Sequence, residues 1–208
     1  MKGLTVLLAV LLAASAFGAT LVLQPGPADG KDSMISATNP TRNYGTWPNL
    51  MVNYGPAYEV RGLVEFDLGV LSGATINSAK FDLWISNPNQ TNYNFGVYRV
   101  TATWQEMSVT WNNQPAHNAA AYDVKMISGA VGGPYTWDVK KLVQEWASKT
   151  YPNYGLMVKR VNMQNPTNWP YFCSSDHSNT SYRPRLTVDY SGVGIAPASF
   201  GEVKALFK

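Results

Sequence analysis

Two segments of the chain alternate between apolar and polar residues with a period of two. Residues 59–68 read EVRGLVEFDL and residues 79–85 read AKFDLWI. Because successive side chains of a strand point to opposite faces, this alternation predicts two strands with one buried face and one face in water. In the second segment Trp84 falls on the polar face, together with Lys80 and Asp82.

Shorter runs of strand-forming residues lie between Gly- and Pro-rich turns. They occupy residues 20–24, 33–36, 50–54, 94–101, 154–161 and 185–190. The run at 94–101 predicts a β-bulge, because Val97 and Val100 break strict alternation. One helix is predicted after Asp138 as its N-cap, on the 3.6-residue spacing of Val139, Leu142, Val143 and Trp146. Many short strands with one covering helix predict an all-β fold, a β-sandwich of jelly-roll type.

The two ends of the chain differ in composition from this central domain, residues 19–191. Lys2, the apolar run Leu4–Ala14 and the small residues Ala14-Ser15-Ala16 predict a signal peptide over residues 1–18, and hence export. Residues 192–208 are predicted to form a flexible linker and a short amphipathic helical tail over residues 199–208. This tail could pack on its own domain, stay disordered or bind a protein partner.

Charge and cysteine content restrict the classes of partner. The net charge is +3, and loss of Lys2 with the leader would lower it by one. Such a small charge argues against binding to nucleic acid, and we expect no membrane insertion once the leader is removed. Cys173 is the only cysteine, so an internal disulfide is excluded. We expect this thiol to be buried or incidental, with an intermolecular bridge as the alternative.

Few residues suggest catalysis or metal binding. His117 and His177 are the only histidines, and neither lies in a metal-ligand or catalytic motif. Asp176-His177 is the best single candidate for a metal ligand or a base, although a polar turn explains it as well. Asp29 and Asp32 flank Gly30, so a structural Ca²⁺ there is conceivable. We therefore predict no cofactor and no enzyme activity.

Several short segments match a known family pattern in order along residues 20–190. They are Asn43-Tyr44-Gly45, RGLVEFD at 61–67, SGATINSAKFDLWI at 72–85, VYRV at 97–100, Trp104 with Glu106, VTWNNQP at 109–115, WDVKKLVQEW at 137–146, NYGLMV at 153–158 and RPRLTVDY at 183–190. Together they resemble the DNRLRE domain, also known as the disaggregatase-related repeat. The resemblance implies a secreted, non-catalytic β-sandwich, related to modules that bind alginate.

The first functional hypothesis is a module that binds an extracellular or cell-surface polysaccharide, with an acidic polysaccharide as one candidate. Aromatic rings suit the apolar faces of sugars, and cationic side chains suit carboxylated sugars. The candidate ligand-binding residues are Trp84, Arg61, Tyr44, Trp47, Tyr58, Lys159 and Arg185. The alternative is cover of Trp84 by a loop or by the helix. We expect Trp111 to pack at the edge of the core and the amides of Asn112, Asn113 and Gln114 to stabilise the turn, with sugar contact as the alternative.

The second hypothesis is a structural or adhesive surface protein. It would assemble through an unpaired sheet edge or through residues 199–208.

Overall fold

Two antiparallel sheets face each other across a single apolar core. The structure, a computed structural model, describes residues 18–55, 58–87, 92–128, 132–162 and 170–192. The predicted leader and tail lie outside these residues, apart from Gly18 and Gly192. Within them the strands, in chain order, are β1 (Ala19–Leu23), β2 (Lys31–Ser36), β3 (Asn49–Met51), β4 (Asn53–Gly55), β5 (Tyr58–Glu65), β6 (Thr75–Asn87), β7 (Asn92–Arg99), β8 (Asp123–Ser128), β9 (Gly133–Asp138), β10 (Leu156–Arg160), β11 (Tyr171–Cys173) and β12 (Arg185–Ser191).

Sheet A is built around the long strand β6. Strands β12 and β11 pair with successive parts of one edge of β6, and β9 pairs with the other edge. Strand β1 lies outside β12, and β3 lies outside β11. Sheet B has the order β2-β5-β10-β7-β8, with β4 also pairing with β5. The chain passes repeatedly from one sheet to the other, and the predicted β-sandwich is confirmed.

Aromatic side chains fill the centre of the core between the sheets. The ring centroids of Phe81 and Trp137 lie 5.9 Å apart, and that of Phe172 lies 6.2 Å from Trp137. Phe95 of sheet B meets Phe172 of sheet A edge-on at 5.6 Å. The Trp137 Nε1–H donates to the Phe95 backbone oxygen at 2.9 Å. This bond satisfies the buried indole and joins β9 to β7 across the sandwich.

The outer face of sheet B carries a second apolar cluster. Five of its buried residues come from strands β2, β5, β7 and β10 or directly follow β7: Ile35, Leu63, Tyr98, Val100 and Met157. The segment 101–122, called here the covering segment, places Trp104 and Val109 over them. The Trp104 indole donates to the Tyr154 backbone oxygen at 2.9 Å. Sheet B is therefore buried on both faces beneath this segment.

This second cluster corrects the prediction of a bulge within residues 94–101. The pairing of β7 with β8 and with β10 shows no register shift. Val97 belongs to the central core and Val100 to the second cluster. The alternation looked broken because both faces of this strand are apolar and buried.

The predicted helix is α1 (Lys140–Ala147), and it covers one end of the sandwich. Leu142, Val143 and Trp146 are buried, as their spacing predicts. The helix begins after Val139 rather than after Asp138, but the Asp138 carboxylate still accepts the Lys140 backbone N–H at 2.9 Å. No helix in the described ranges is long and apolar enough to cross a bilayer.

Three strands were missed in the sequence: β8, β9 and β11. In β8 the apolar residues Val124 and Met126 are exposed, so the alternation of apolar and polar residues does not identify the buried face of this strand. Strand β9 has Pro134 near its start, and β11 is only three residues long. Cys173 ends β11 and is buried, which raises the pKa of its thiol to about 11. The thiol is therefore not exposed for an intermolecular bridge in this fold.

Trp137→Ala is expected to destabilise the sandwich by about 3 to 5 kcal/mol, because it opens a cavity between the sheets. Met126→Ala is the control, since Met126 is 59% exposed, and should cost about 0.5 kcal/mol or less. Equilibrium denaturant unfolding measures both values. Equal losses for the two variants would contradict this description of the core.

Candidate functional site

The seven candidate binding residues do not form one site. Tyr44 is 4% exposed and belongs to the core, so it does not rim a groove as expected. Its ring meets Trp47 edge-on at 4.9 Å, and the Arg42 guanidinium lies over both rings. Trp47 is half-buried by these contacts. The turn-forming residues around Tyr44 predict a loop, and they do not indicate that the Tyr44 ring packs into the core.

Trp84 and Arg185 lie together on the outer face of sheet A. The Trp84 ring stacks on Tyr182 with centroids 4.2 Å apart and planes 8° apart. One face of Trp84 is therefore covered, as the alternative interpretation predicted. The residues that cover it form a 3₁₀ turn at Thr180–Tyr182. The Arg185 guanidinium is paired with the Asp82 carboxylate at 2.9 Å, which offsets its charge.

Tyr58 is half-buried at the start of β5, away from those residues. It lies near the buried guanidinium of Arg160, which donates to the Asn53 side-chain oxygen at 2.6 Å.

Arg61 and Lys159 are brought together on the outer face of sheet B. Val158 pairs with Gly62, so the adjacent residues Lys159 and Arg61 share the opposite face on neighbouring strands. We use the name basic patch for the surface formed by Arg61, Tyr98, Trp111, Gln114, His117 and Lys159. It lies where the covering segment ends on sheet B.

Arg61 is fixed in the basic patch by three partners. Its Nε–H donates to the Glu59 carboxylate at 2.8 Å, and its Nη1–H donates to the Gln114 side-chain oxygen at 2.8 Å. The guanidinium lies 4.7 Å from the centroid of the Trp111 ring. Its charge is thus partly compensated, and its planar face is occupied by an aromatic ring.

Lys159 has a different environment. Its ammonium lies 4.6 Å from the Tyr98 ring centroid and 3.4 Å from His117 Nε2. Gly96 pairs with Lys159 and makes room for the Tyr98 ring, since a Cβ there would lie 2.8 Å from that ring. Among the described residues no carboxylate lies within ion-pair distance of Lys159. Lys159 is the cation in this patch that lacks a direct acidic partner.

Burial and mutual repulsion shift the titration of these groups. The His117 Nδ1–H donates to the Asn118 carbonyl oxygen at 2.6 Å, which leaves Nε2 to accept from Lys159. Burial lowers the pKa of His117, and the charges of Lys159 and Arg61 lower it further, although the Asn118 bond opposes this. Burial also lowers the pKa of Lys159. At neutral pH His117 is therefore neutral beside a charged ammonium.

Two of the three amides that follow Trp111 bond the backbone of their own turn. Asn113 accepts the Thr110 N–H at 2.6 Å and donates to the Ser108 carbonyl oxygen at 3.0 Å. The Gln114 NH₂ donates to the Trp111 carbonyl oxygen at 2.9 Å, and its oxygen holds Arg61. The turn thus positions the Trp111 ring and the Arg61 guanidinium at the patch. Sequence reasoning missed His117 and Tyr98 as patch residues, because only strand pairing brings them near Lys159.

A separate cavity, outside the basic patch, is lined in part by Trp146 of α1. It has a volume of about 610 Å³. Its charged lining residues are Asp29, Lys31, Glu65, Asp67 and Lys149. We call this cavity the acidic groove. Because Lys31 is paired with Glu65 at 2.7 Å, the groove retains an excess of negative charge.

A family model matches most of the chain. The model of carbohydrate-binding module family 96 matches residues 28–190. The chain belongs to carbohydrate-binding module family 96. A search of curated proteins finds no match. The matched residues include the central strands of both sheets and the whole basic patch. The match shows a carbohydrate-binding family, whereas the resemblance to the DNRLRE domain stays a prediction.

The sequence suggested a Ca²⁺ site formed by Asp29 and Asp32 on either side of Gly30. In this family 96 module the two carboxylates have different partners. Asp29 accepts the Gly26 N–H at 2.7 Å and so closes its own turn. Asp32 instead lies beside Glu106 and Asp176. Burial raises the pKa of Asp32 to about 7, against the lowering effect of the Ser175 N–H bond. His177 does not join these carboxylates, and its ring lies 5.6 Å from Tyr182.

Lys159→Met is expected to raise the pKa of His117. The substitution removes both the repelling ammonium and the donor that Nε2 accepts from, and each of these stabilises the neutral imidazole. An NMR titration of the His117 ring measures the change. Lys140→Met, at the exposed start of α1, is the matched control and should leave the titration unchanged. A titration that is the same in both variants would contradict the described contact.

Proposed function

We propose that this module is exported and binds an acidic polysaccharide through the basic patch, without catalysing a reaction. The observation that carries the proposal is the Lys159 ammonium. It is half-buried and close to Arg61, and it has no carboxylate partner among the described residues. A sugar carboxylate would supply the missing charge and accept its hydrogen bonds.

The shape of the sheet around Lys159 suits an extended ligand. Lys159, Gly96 and Val124 are paired in sequence across β10, β7 and β8. Gly96 is buried, because the Tyr98 ring and the Ala121 side chain fill the space over it, whereas Val124 is 45% exposed. A partly apolar surface, made by these side chains over Gly96 and by Val124 beyond them, therefore runs from the Lys159 ammonium to the edge of sheet B. A polysaccharide chain could lie along it with its apolar faces on the sheet and a carboxylate at Lys159.

The acidic groove is a less suitable site for an acidic chain. Asp29, Glu65 and Asp67 line it, and they would repel carboxylated sugars. Trp84 is also less suitable as a platform for such a ligand, because Tyr182 covers one of its faces and Asp82 offsets Arg185. These contrasts favour the basic patch over the other candidate surfaces.

Family membership supports carbohydrate binding, and the finer resemblance to the DNRLRE domain supports a surface-associated, non-catalytic role. The predicted signal peptide over residues 1–18 supports export to the extracellular space or cell surface. His117 contacts Lys159, and His177 contacts Tyr182. This arrangement gives no support to acid–base catalysis at either imidazole.

A second candidate function is assembly into an adhesive surface structure. Strand β8 forms an edge of sheet B, and it exposes 59% of Met126 and 45% of Val124. Exposed apolar residues on an edge strand favour pairing with another strand. A protein contact through residues 199–208 would be an additional route to assembly.

Polysaccharide binding is tested by isothermal titration calorimetry of the full chain with polyuronates and with neutral glucans. Tighter binding of polyuronate, weakened by salt, is expected. Lys159→Ala should weaken this binding by about 10- to 100-fold, since hydrogen bonds to charged groups contribute about 1.5 to 3 kcal/mol. Arg61→Ala should weaken it as well, with a further loss from releasing Glu59.

The matched control is Lys140→Ala, which removes the same charge at the start of α1. It should bind polyuronate as tightly as the unmodified chain. If polyuronate does not bind at millimolar concentration, or if Lys159→Ala and Lys140→Ala bind equally, the proposal is wrong. Oligomers at micromolar concentration that are lost in Met126→Lys would instead support the assembly function.

A further inference from the structure

Three carboxylates from distant parts of the chain meet at one edge of the sandwich. Asp32 is on β2 of sheet B, Glu106 is in the covering segment, and Asp176 follows β11 of sheet A. One carboxylate oxygen from each residue lies within 4.8 Å of the corresponding oxygens of the other two. We call these residues the carboxylate triad. Neighbouring acidic groups alone are common on protein surfaces, so the triad requires a further observation.

That observation is the buried and incompletely bonded carboxylate of Asp32. Asp32 is 1% exposed. Its Oδ2 accepts the Ser175 N–H at 2.7 Å, but its Oδ1 is buried and has no hydrogen-bond partner among the described residues. The Ser175 hydroxyl lies beside it and lowers the pKa of Asp32, but it makes no hydrogen bond of normal geometry among the described residues. Buried polar atoms are nearly always bonded, so these oxygens indicate a missing ligand.

Cationic side chains offset the charge of the triad only in part. Burial raises the pKa of Glu106 and that of Asp176, whereas Lys31 lowers the first and Arg183 lowers the second. In the described part of the chain the ion pairs are Lys31–Glu65, Arg61–Glu59 and Arg185–Asp82, and none includes a triad residue. Two cations lie nearby but are engaged elsewhere. Lys31 is held by Glu65 at 2.7 Å, and the Arg183 Nε–H donates to the His177 carbonyl oxygen at 3.1 Å. Three acidic groups at this distance, one of them buried, repel one another when ionised, and a bound cation would relieve this repulsion.

We propose that the carboxylate triad of Asp32, Glu106 and Asp176 binds a structural Ca²⁺. All the donors are oxygens, which favours a hard cation over Zn²⁺. Ca²⁺ binds oxygen at about 2.3 to 2.6 Å, so ligand oxygens can lie up to about 5 Å apart across the ion. The spacing of up to 4.8 Å fits this range. Mg²⁺ requires nearly ideal octahedral geometry with bonds of about 2.0 to 2.1 Å and gives up its waters reluctantly, so a site built from three separate segments suits Ca²⁺ better.

The hydrogen bonds around the triad already align its members. Glu106 accepts the Asp32 backbone N–H at 2.9 Å through Oε1. Asn43 fixes the backbone of the same segment by donating to the Glu106 carbonyl oxygen at 2.7 Å. A bound Ca²⁺ would therefore connect sheet B, the covering segment and sheet A at one point. It would stabilise the covering segment, and through it the second apolar cluster.

Calorimetry of the full chain, freed of metal with a chelator, tests the site with Ca²⁺ alone. We expect one Ca²⁺ to bind per chain and Mg²⁺ to bind at least tenfold more weakly. At a Ca²⁺ concentration about 100 times its Kd, the melting temperature should rise by about 5 to 10 °C. Asp32→Asn should abolish this rise and the heat of binding.

Asp176→Asn provides a second variant, because Asp176 is only partly buried and its substitution should leave the fold intact. It should weaken Ca²⁺ binding by at least tenfold. Asp67→Asn, an exposed acid outside the triad, is the control and should bind Ca²⁺ as the unmodified chain does. The proposal is overturned if Ca²⁺ neither binds nor stabilises at millimolar concentration. It is also overturned if binding survives both triad substitutions.

Discussion

The arrangement of this molecule depends on the apolar contact between the covering segment and the outer face of sheet B. Trp104 and Val109 bury Leu63 and Met157. Part of sheet B is therefore buried on both faces, although its outer face would otherwise be exposed to solvent. What remains open on that face is the strip beside the segment's end. The basic patch lies there because the same segment that covers the apolar cluster also contributes Trp111, Gln114 and His117.

Charge is distributed unevenly around this framework. The basic patch and the carboxylate triad are both partly built by the covering segment, through His117 at one place and Glu106 at the other. The acidic groove is lined in part by Trp146 of α1. This arrangement separates the positive charge of the basic patch from the negative charge at the other two places. The covering segment thus links the stability of the fold to the proposed binding surface.

The sequence predicted elements well where one face was apolar and the other polar. Residues 59–68 and 79–85 correspond to β5 and β6, and the spacing of Leu142 and Trp146 marked α1. The prediction of a bulge in β7 was wrong, because a second apolar cluster buries the face that carries Val100. The adjacency of Arg61 and Lys159 depends on the pairing of β5 with β10, which alternation does not reveal. The stacking of Tyr182 on Trp84 likewise joins residues far apart in sequence.

The most direct test of the central claim is an ¹H–¹⁵N NMR titration of the labelled chain with a short polyuronate oligosaccharide. If the basic patch binds the ligand, the largest shift changes should fall on the amides of Gly96, His117, Val124 and Lys159. The amides of Asp67 and Lys149, at the acidic groove, should stay constant. Changes concentrated at the acidic groove or around Trp84 and Tyr182, with none near Lys159, would contradict the account.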